Sequence, residues 1–390
     1  MLQDNQGNYW RGRAIQKVKP LLGDGLPMID GELWQRQRRL MQPAFRHGTV
    51  AKLAGMVTQA TEEMLARWDG RVPRDEPFDA VGQMMGLTQT IIVRAMFGTD
   101  IRSDESERVN RALAVIEHTV AGRTFSLVDL PMWVPTPGNR RYREAVRALD
   151  QFVYRVIGER RASTQAGGDL LSMLLSARDE DTGEGMSDRQ LRDEVTTIFF
   201  AGHETTAVAL SWTWYLMSQH PQAEERLGAE LSQVLGGRIP AYDDLPKLPY
   251  LRRVIDEALR LYPPAWVVTR SPHADDVVDG VHVPAGATLL VSPYVTHHSP
   301  QVWEDAEAFD PDRFLPDRSA GRHPYAYYPF GGGGHVCIGK PFALMEAQLA
   351  VAAIAQRYRL RMVPGHPVAL RPGAALHPKH GLKMTPVAKR

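Results

Sequence analysis

Apolar residues recur along most of this chain at helical spacing. Steps of three and four residues run through 50–68 and 145–157, which predicts two amphipathic helices. The same pattern predicts helices at 167–177, 223–235, 250–261 and 341–355. Strand-like runs are short and lie at 266–269, 277–283 and 288–295. The pattern therefore predicts one helix-rich domain over residues 1–390, mainly α with small β-sheets.

One predicted helix is unusually long. Ser187 and Gln190 form a capping-box pattern, and helical spacing then continues without proline to about Gln219. Roughly 32 residues at 1.5 Å each extend about 48 Å, so we expect this helix to cross the interior. Its middle, residues 201–206, reads AGHETT, with small and polar side chains where a buried helix needs bulk. We expect an interruption of the helix there.

Composition excludes several classes of protein. The chain has 43% hydrophobic residues and a formal net charge of +1, so no nucleic acid partner is expected. A single cysteine excludes an intramolecular disulfide and any site built from several thiolates. The sequence has no signal-peptide pattern and no run of about 18 apolar residues. We therefore expect a cytoplasmic protein, monomeric and without a membrane anchor.

The single cysteine lies in the stretch FGGGGHVCIG, residues 330–339. Four consecutive glycines carry a large entropic cost, which indicates that something approaches the main chain closely. Cys337 precedes a predicted helix, whose N-terminal N–H groups favour a thiolate. A small buried hydrophobe and a nucleophile paired with His335 are the alternatives. A phosphate loop is not supported, since GxxxxGK[ST] is absent.

Residue by residue, the stretch resembles the heme-binding signature of cytochromes P450, FxxGx[HR]xCxG. Phe330, Gly333, His335, Cys337 and Gly339 all match. The resemblance implies that Cys337 is the axial ligand of heme iron and that its thiolate favours O–O cleavage. It also implies heme contacts by the following residues of the stretch: Phe330, Gly331, His335 and Gly339.

A second motif, Glu257-Ala-Leu-Arg260, resembles the ExxR element of the same family. Residues three apart share a helix face and can pair, although a solvated pair worth about 0–1 kcal/mol is the alternative. The family adds an arginine from a PxRF motif, which Arg313 matches in PDRF. The resemblance implies a structural triad of Glu257, Arg260 and Arg313.

AGHETT resembles the oxygen-binding stretch [AG]Gx[DE]T. The resemblance implies that Ala201 and Gly202 let dioxygen and the heme approach the helix. It also implies that the Thr205 hydroxyl assists oxygen activation and that Glu204 delivers protons. The alternative is a threonine that bonds back to its own helix.

The early segment WQRQR matches the family's WxxxR through Trp34 and Arg38. The resemblance implies that both contact a heme propionate, together with His335 and Arg270. Surface charges are the alternative for the two arginines. His297 and His298 are adjacent, and we assign them no metal.

The motifs stand in family order, which implies a cytochrome P450 fold, heme b and O2 as co-substrate. The implied reaction inserts one oxygen atom into a lipophilic small molecule, by hydroxylation or epoxidation. The alternatives are a peroxide-driven peroxygenase, a non-catalytic heme-binding protein and a helical protein without heme. The residues expected to contact the substrate are Phe199, Phe200, Pro264, Ala265, Val267, Ala375 and Leu376.

Two further expectations concern the ends of the chain. The section before the NYWRG segment is shorter than the family's usual N-terminal region of strands and helices. We expect either a truncated start or a sheet region that is reduced or missing. The implied electron donor is a separate ferredoxin or flavodoxin with its reductase. We expect Arg36, Arg39 and Lys340 to form its docking surface.

Overall fold

Helices dominate the computed structural model, which describes residues 1–12, 15–70, 76–98, 103–124, 131–162 and 167–389. The predicted mainly α fold with small sheets is confirmed. The helices are α1 (Lys19–Leu22), α2 (Gly31–Met41), α3 (His47–Ala51), α4 (Ala54–Asp69), α5 (Ala80–Phe97), α6 (Ser103–Thr124), α7 (Pro137–Ala162), α8 (Leu170–Ser176), α9 (Asp188–Gln219), α10 (Pro221–Leu235), α11 (Pro249–Leu261), α12 (Pro293–His297), α13 (Pro316–Ser319) and α14 (Lys340–Arg357). In the described part of the chain, none of them is both long enough and apolar enough to cross a bilayer.

The strands are short and form antiparallel sheets. They are β1 (Tyr9–Trp10), β2 (Phe78–Asp79), β3 (Val268–Pro272), β4 (Asp276–Val278), β5 (Val281–Val283), β6 (Leu289–Val291), β7 (Tyr358–Met362), β8 (Leu370–Pro372), β9 (Leu376–Pro378) and β10 (Lys383–Ala388). Within the described residues, two three-stranded sheets have the orders β1-β3-β6 and β2-β10-β7, and β4-β5 and β8-β9 are two-stranded hairpins.

The chain divides into two compact units. The first contains residues 1–44, 93–201 and 268–291, and the second contains residues 45–92, 202–267 and 292–390. In the first unit α6 packs along α7, and the rings of Phe97 and Phe152 meet edge to face at 5.4 Å. The single domain predicted from the sequence stays a prediction.

The core of the second unit surrounds α14. This helix is buried along nearly all of its length and packs against α4 and α11. Its mixture of alanine with larger apolar residues lets neighbouring helices approach closely. Trp68 at the end of α4 contacts the rings of Phe78 and Tyr358 at 4.6 and 5.8 Å, which joins the helices to the sheet β2-β10-β7.

The long helix forms as predicted, but its interruption does not. Ser187 and Gln190 cap α9 reciprocally: the Gln190 N–H donates to the Ser187 hydroxyl at 3.3 Å, and the Ser187 N–H donates to Gln190 Oε1 at 3.0 Å. The helix then runs for 32 residues, through AGHETT, without a break. Small residues there serve close packing instead: a Cβ on Gly202 would lie 2.8 Å from Cδ1 of Ile92 on α5.

A strand predicted at 288–295 is wrong in its second half. Strand β6 ends at Val291, and α12 follows because Pro293 suits a first helical turn and the Ser292 hydroxyl accepts the Val295 N–H at 3.2 Å. His297 and His298 consequently end a helix rather than a strand.

Candidate active site

The glycine-rich loop folds back on its own first residue. The Cys337 N–H donates to the Phe330 carbonyl at 2.9 Å, and the Gly331 N–H donates to the Tyr328 carbonyl at 2.9 Å. The Cys337 side chain is exposed at the end of this turn, three residues before Lys340 begins α14. The partial positive charge of that helix N-terminus favours the anionic thiolate over the thiol.

Glycine is required at several positions of this loop. Gly331 and Gly333 have φ of +74° and +66°, in the left-handed region that a side chain disfavours. A Cβ on Gly332 would lie 2.3 Å from the ring of Tyr325. The loop therefore brings main chain, rather than side chains, to the surface beside the thiol.

A buried carboxylate ties the C-terminal end of α11 to the chain beyond it. Arg260 donates from Nε and Nη2 to the two carboxylate oxygens of Glu257, at 2.7 and 2.9 Å. Arg313 donates from Nε to Glu257 Oε1 at 2.8 Å, and the Asp310 N–H donates to the same oxygen at 2.9 Å. Glu257 and Arg260 are 0% exposed and Arg313 is 3% exposed. The network has the partners that buried charges need.

The remaining arginine protons bind backbone carbonyls. Arg260 donates to the carbonyls of His297, Ala306 and Ala308 at 2.7–3.0 Å, and Arg313 donates to three carbonyls between residues 304 and 308. Both guanidinium groups also lie over the ring of Trp303, at 5.1 and 5.8 Å from its centroid. Residues 297–314 are thereby folded around one charge network.

His297 connects this network to the cysteine loop. Its Nε2 accepts the Tyr328 N–H at 3.1 Å, so in the neutral ring Nδ1 carries the proton and donates to the Arg260 carbonyl at 3.1 Å. Burial, with the nearby Arg260 charge, lowers the pKa of His297 to about 3. The residue is therefore a neutral clamp between α11 and the chain that leads into Phe330.

The polar residues of AGHETT have specific surroundings in the second unit. Glu204 is 8% exposed, and its Oε1 lies 2.7 Å from Nε2 of His377 on β9. Thr205 is half-buried, one position further along α9. The Thr88 hydroxyl donates to the His203 carbonyl at 2.9 Å, which joins α5 to α9 at this point.

Glu346 is a second carboxyl in the same region. It lies on α14 at 1% exposure, and burial raises its pKa well above 4.5. The Thr206 hydroxyl opposes that shift. Burial therefore favours the protonated form of Glu346. The sequence spacing within α14 did not indicate that this side chain is buried.

Three of the residues expected to bind heme propionates belong to the first unit and lie on α2 and β3. Trp34 and Arg38 are half-buried on α2, and Arg270 on β3 is 7% exposed. Among the residues that the structure describes, Arg270 has one hydrogen-bond acceptor, the Thr269 carbonyl at 2.8 Å. Burial lowers the pKa of Arg270, and the Asp30 charge opposes this. A buried guanidinium with several remaining N–H groups suits an anionic ligand.

The residues expected to contact substrate differ in exposure. Phe199 is 1% exposed, which favours a packing role, whereas Phe200 is half-buried and Ala201 is exposed. The residues after α11 include buried Pro264 and half-buried Ala265 and Val267. In the hairpin β8-β9, Ala375 and Leu376 are 1% and 2% exposed.

Comparison with known proteins decides the family. The family model described as "Cytochrome P450" matches residues 4–384. The chain belongs to the cytochrome P450 family. Curated P450 relatives include cyclooctatin synthase of Streptomyces melanosporofaciens, 40% identical over 366 residues that cover 94% of this chain and 79% of the relative. Pentalenene oxygenase of Streptomyces avermitilis is 37% identical over 375 residues, covering 94% of this chain and 81% of the relative.

A solved P450 structure has the same fold. The heme domain of cytochrome P450DA superposes with a TM-score of 0.91 at 28% identity, covering 99% of this chain and 85% of that one. The P450 family predicted from the motifs is confirmed, and so is its helical fold. The protein is a heme-thiolate monooxygenase of a lipophilic substrate, an oxidoreductase that uses heme and O2.

The residues present fit the P450 cofactor. An exposed thiol at a helix N-terminus suits a soft-ligand bond to iron, and no group of three or more His, Cys, Asp or Glu side chains in the described residues offers another metal site. Glycines 331–333 leave main chain beside the thiol, where a planar macrocycle can approach. Within the first unit, the buried Arg270 guanidinium carries a charge opposite to that of a carboxylate.

Two basic residues expected to dock the P450 redox partner are already paired. Arg36 lies 3.8 Å from the buried carboxylate of Asp179, and Arg39 lies 3.4 Å from the same group. Arg39 also pairs with Asp181 at 3.0 Å. Arg36 and Arg39 attract an acidic partner weakly, because paired carboxylates neutralise their charges. Of the three residues expected to dock the redox partner, Lys340 is therefore the best supported.

Proposed function

We propose that the Cys337 thiolate would hold the iron of heme b and that this P450 hydroxylates or epoxidises an unsaturated, largely hydrocarbon molecule. The observation that carries the proposal is the exposed Cys337 thiol, held ahead of α14 by the bond from its own N–H to the Phe330 carbonyl. When bound, heme activates O2, so that with two electrons and two protons one oxygen atom enters the substrate and the other leaves as water.

The chain's own residues hold the cofactor. Phe330, Gly331 and Gly339 contact the macrocycle, since their stretch presents main chain beside the thiol. Trp34, Arg38, Arg270 and His335 donate hydrogen bonds to the propionates. The buried Arg270 guanidinium is the strongest support, because charge-assisted bonds to a carboxylate would satisfy it.

Residues on α9 handle dioxygen and protons. Ala201 leaves the helix surface open to O2, whereas Gly202 lets α9 pack closely on α5. Thr205 offers its hydroxyl, and Glu204 supplies protons. Support comes from exposure: Ala201 is accessible, whereas Glu204 is largely shielded from bulk water.

The substrate class rests on relatives and on the apolar candidates. Two of the relatives are named for pentalenene and cyclooctat-9-en-7-ol, an alkene and an unsaturated alcohol. The proposed substrate contacts are the half-buried residues Phe200, Ala265 and Val267. Burial favours a packing role for the other expected residues, Phe199, Pro264, Ala375 and Leu376. An apolar wall with few polar groups binds such molecules through burial of hydrocarbon surface.

Electrons come from a ferredoxin- or flavodoxin-type protein that docks near Lys340. This residue is exposed at the start of α14, and its Nζ lies 5.7 Å from the centroid of the Phe330 ring. Lys340→Glu should slow reduction at low ionic strength, and salt should lessen the difference. Lys383→Glu, on an exposed lysine of β10, is the matched control; equal effects of both variants would contradict the docking site. The monomeric state and cytoplasmic location stay predictions.

The central test is optical. Reduced, CO-bound protein should show the long-wavelength Soret band of thiolate-ligated carbonyl heme, and Cys337→Ala should lose that band. Loss of the band should occur with little change in heme-free stability, since the side chain is exposed. A variant that keeps the band would contradict ligation by Cys337. Product formation with NADPH, reductase and ferredoxin, compared with hydrogen peroxide, distinguishes a monooxygenase from a peroxygenase or a binding protein.

A further inference from the structure

A histidine contacts the carboxylate that we propose as proton donor. Nε2 of His377 lies 2.7 Å from Oε1 of Glu204, although the two residues are 173 positions apart. Their side chains are 13% and 11% exposed. A nitrogen–oxygen distance of this length is that of a charge-assisted hydrogen bond. No sequence motif pointed to His377.

The hairpin β8-β9 that carries His377 is fixed on several sides. Trp212 on α9 donates from Nε1 to the Leu376 carbonyl at 2.8 Å, and the Leu376 N–H donates to the Pro264 carbonyl at 3.1 Å. Trp266 donates from Nε1 to the Gly373 carbonyl at 3.0 Å. Because its neighbours are held, the main chain of His377 stays beside Glu204, and the ring can still turn about its side-chain bonds.

The alternation of β9 separates the histidine from the core. Leu376 and Pro378 are buried, and His377 between them belongs to the opposite face of the strand. Across the hairpin, His377 pairs with Arg371, which is exposed. The imidazole therefore lies between the solvent-exposed edge of the hairpin and the largely buried carboxylate of Glu204.

We propose that His377 relays protons from solvent to Glu204, an inference that rests on the proposed role of Glu204. After Glu204 gives up its proton, the imidazolium of His377 passes its Nε2 proton to Oε1. The neutral ring then carries a proton on Nδ1 alone, so it turns its free Nε2 to water, takes a proton there and returns to Oε1 as the imidazolium. Each turnover consumes two protons, so the relay operates twice per oxygen atom inserted.

Two variants separate relay from positioning. His377→Gln keeps an N–H donor for Glu204 but cannot carry a proton, whereas His377→Phe removes both properties. Both variants should lower NADPH-driven turnover at least about ten-fold, because water reaches Glu204 slowly without the ring. This loss is smaller than the roughly 100-fold rate increase that a general acid supplies. Both should also lower the product formed per NADPH and enlarge the solvent isotope effect.

Hydrogen peroxide brings its own oxygen and protons, so peroxide-driven turnover should stay close to wild type in both variants. His380→Gln, at an exposed histidine three residues away, is the matched control and should leave every rate unchanged. Independently of turnover, ring-¹⁵N spectra of the diamagnetic reduced CO-bound protein should show a His377 signal that moves in Glu204→Gln.

Three results would overturn the relay. The first is a His377→Gln variant that matches wild type in product formed per NADPH and in solvent isotope effect, which would show that His377 only positions Glu204. The second is an equal loss of NADPH-driven and peroxide-driven turnover. The third is a His377 signal unaffected by Glu204→Gln. A wild type that lacks the thiolate–CO band or forms no product would instead refute the proposed function.

Discussion

Glu194 is a buried carboxyl whose titration predicts how stability depends on pH. It lies on α9 at 0% exposure and accepts the Leu26 N–H at 3.0 Å. Burial raises the pKa of Glu194 from 4.5 to about 8; the Leu26 bond opposes this shift, and the Asp193 charge adds to it. Between those two values the folded protein binds a proton that the unfolded chain has lost.

The sign and size of the effect follow from that difference. A pKa raised on folding gives stability that is complete below about pH 4.5 and is lost as pH rises towards 8. Each pH unit in this window lowers the free energy of unfolding by about 1.36 kcal/mol. The whole window therefore corresponds to about 5 kcal/mol, an upper value because water enters around a charged Glu194.

Glu194→Gln tests this, since glutamine has nearly the same shape and no charge. The free energy of unfolding of both proteins is measured with urea at intervals between pH 4.5 and 8. The value for the variant minus that for wild type should rise by up to about 5 kcal/mol across this range. The control is Leu171→Ala, at a fully buried position on α8. It should lower the free energy of unfolding by about 2–5 kcal/mol, and this loss should be the same at every pH. A pH-independent difference for Glu194→Gln would refute the reasoning.

Three further changes test individual contacts. Arg313→Met breaks a buried pair and should lower the free energy of urea unfolding by about 3–5 kcal/mol. Arg318→Met, at a more exposed pair, should lower it by about 0–1 kcal/mol, and similar losses in both variants would contradict the network. His297→Phe leaves an N–H and a carbonyl buried, so a loss of about 2 kcal/mol or more is expected, with faster amide exchange at residue 328, and normal exchange would argue against the clamp. Gly332→Ala should lower the thermal midpoint, and adding Tyr325→Ala should restore part of it; no restoration would reject the predicted clash.

Local features were predictable from the sequence because their causes are local. The capping pair Ser187 and Gln190 sets where α9 begins, and proline after His220 sets where it ends. Glu257 and Arg260 share a face through their spacing alone. The position of Cys337 before α14 likewise follows from the glycine run and the helical pattern after it.

Other elements were missed because packing overrides local preference. Helix α5 contains two glycines and the β-branched run Thr90–Val93, a composition that does not favour a helix, yet it is helical where it packs against α9. The strand predicted beyond Val291 fails for a local reason instead, since Pro293 suits a first helical turn and the Ser292 hydroxyl caps α12.

By itself, the sequence determined the family, the order of its motifs and which side chains could ligate, pair or donate protons. Only the tertiary structure decided that His377 reaches Glu204, that His297 joins α11 to the cysteine loop, and that the Arg39 charge is taken up by Asp179. Spacing within one helix or turn fixes neighbours a few residues apart. Contacts between distant segments depend on how the helices and hairpins pack, and no local pattern records that.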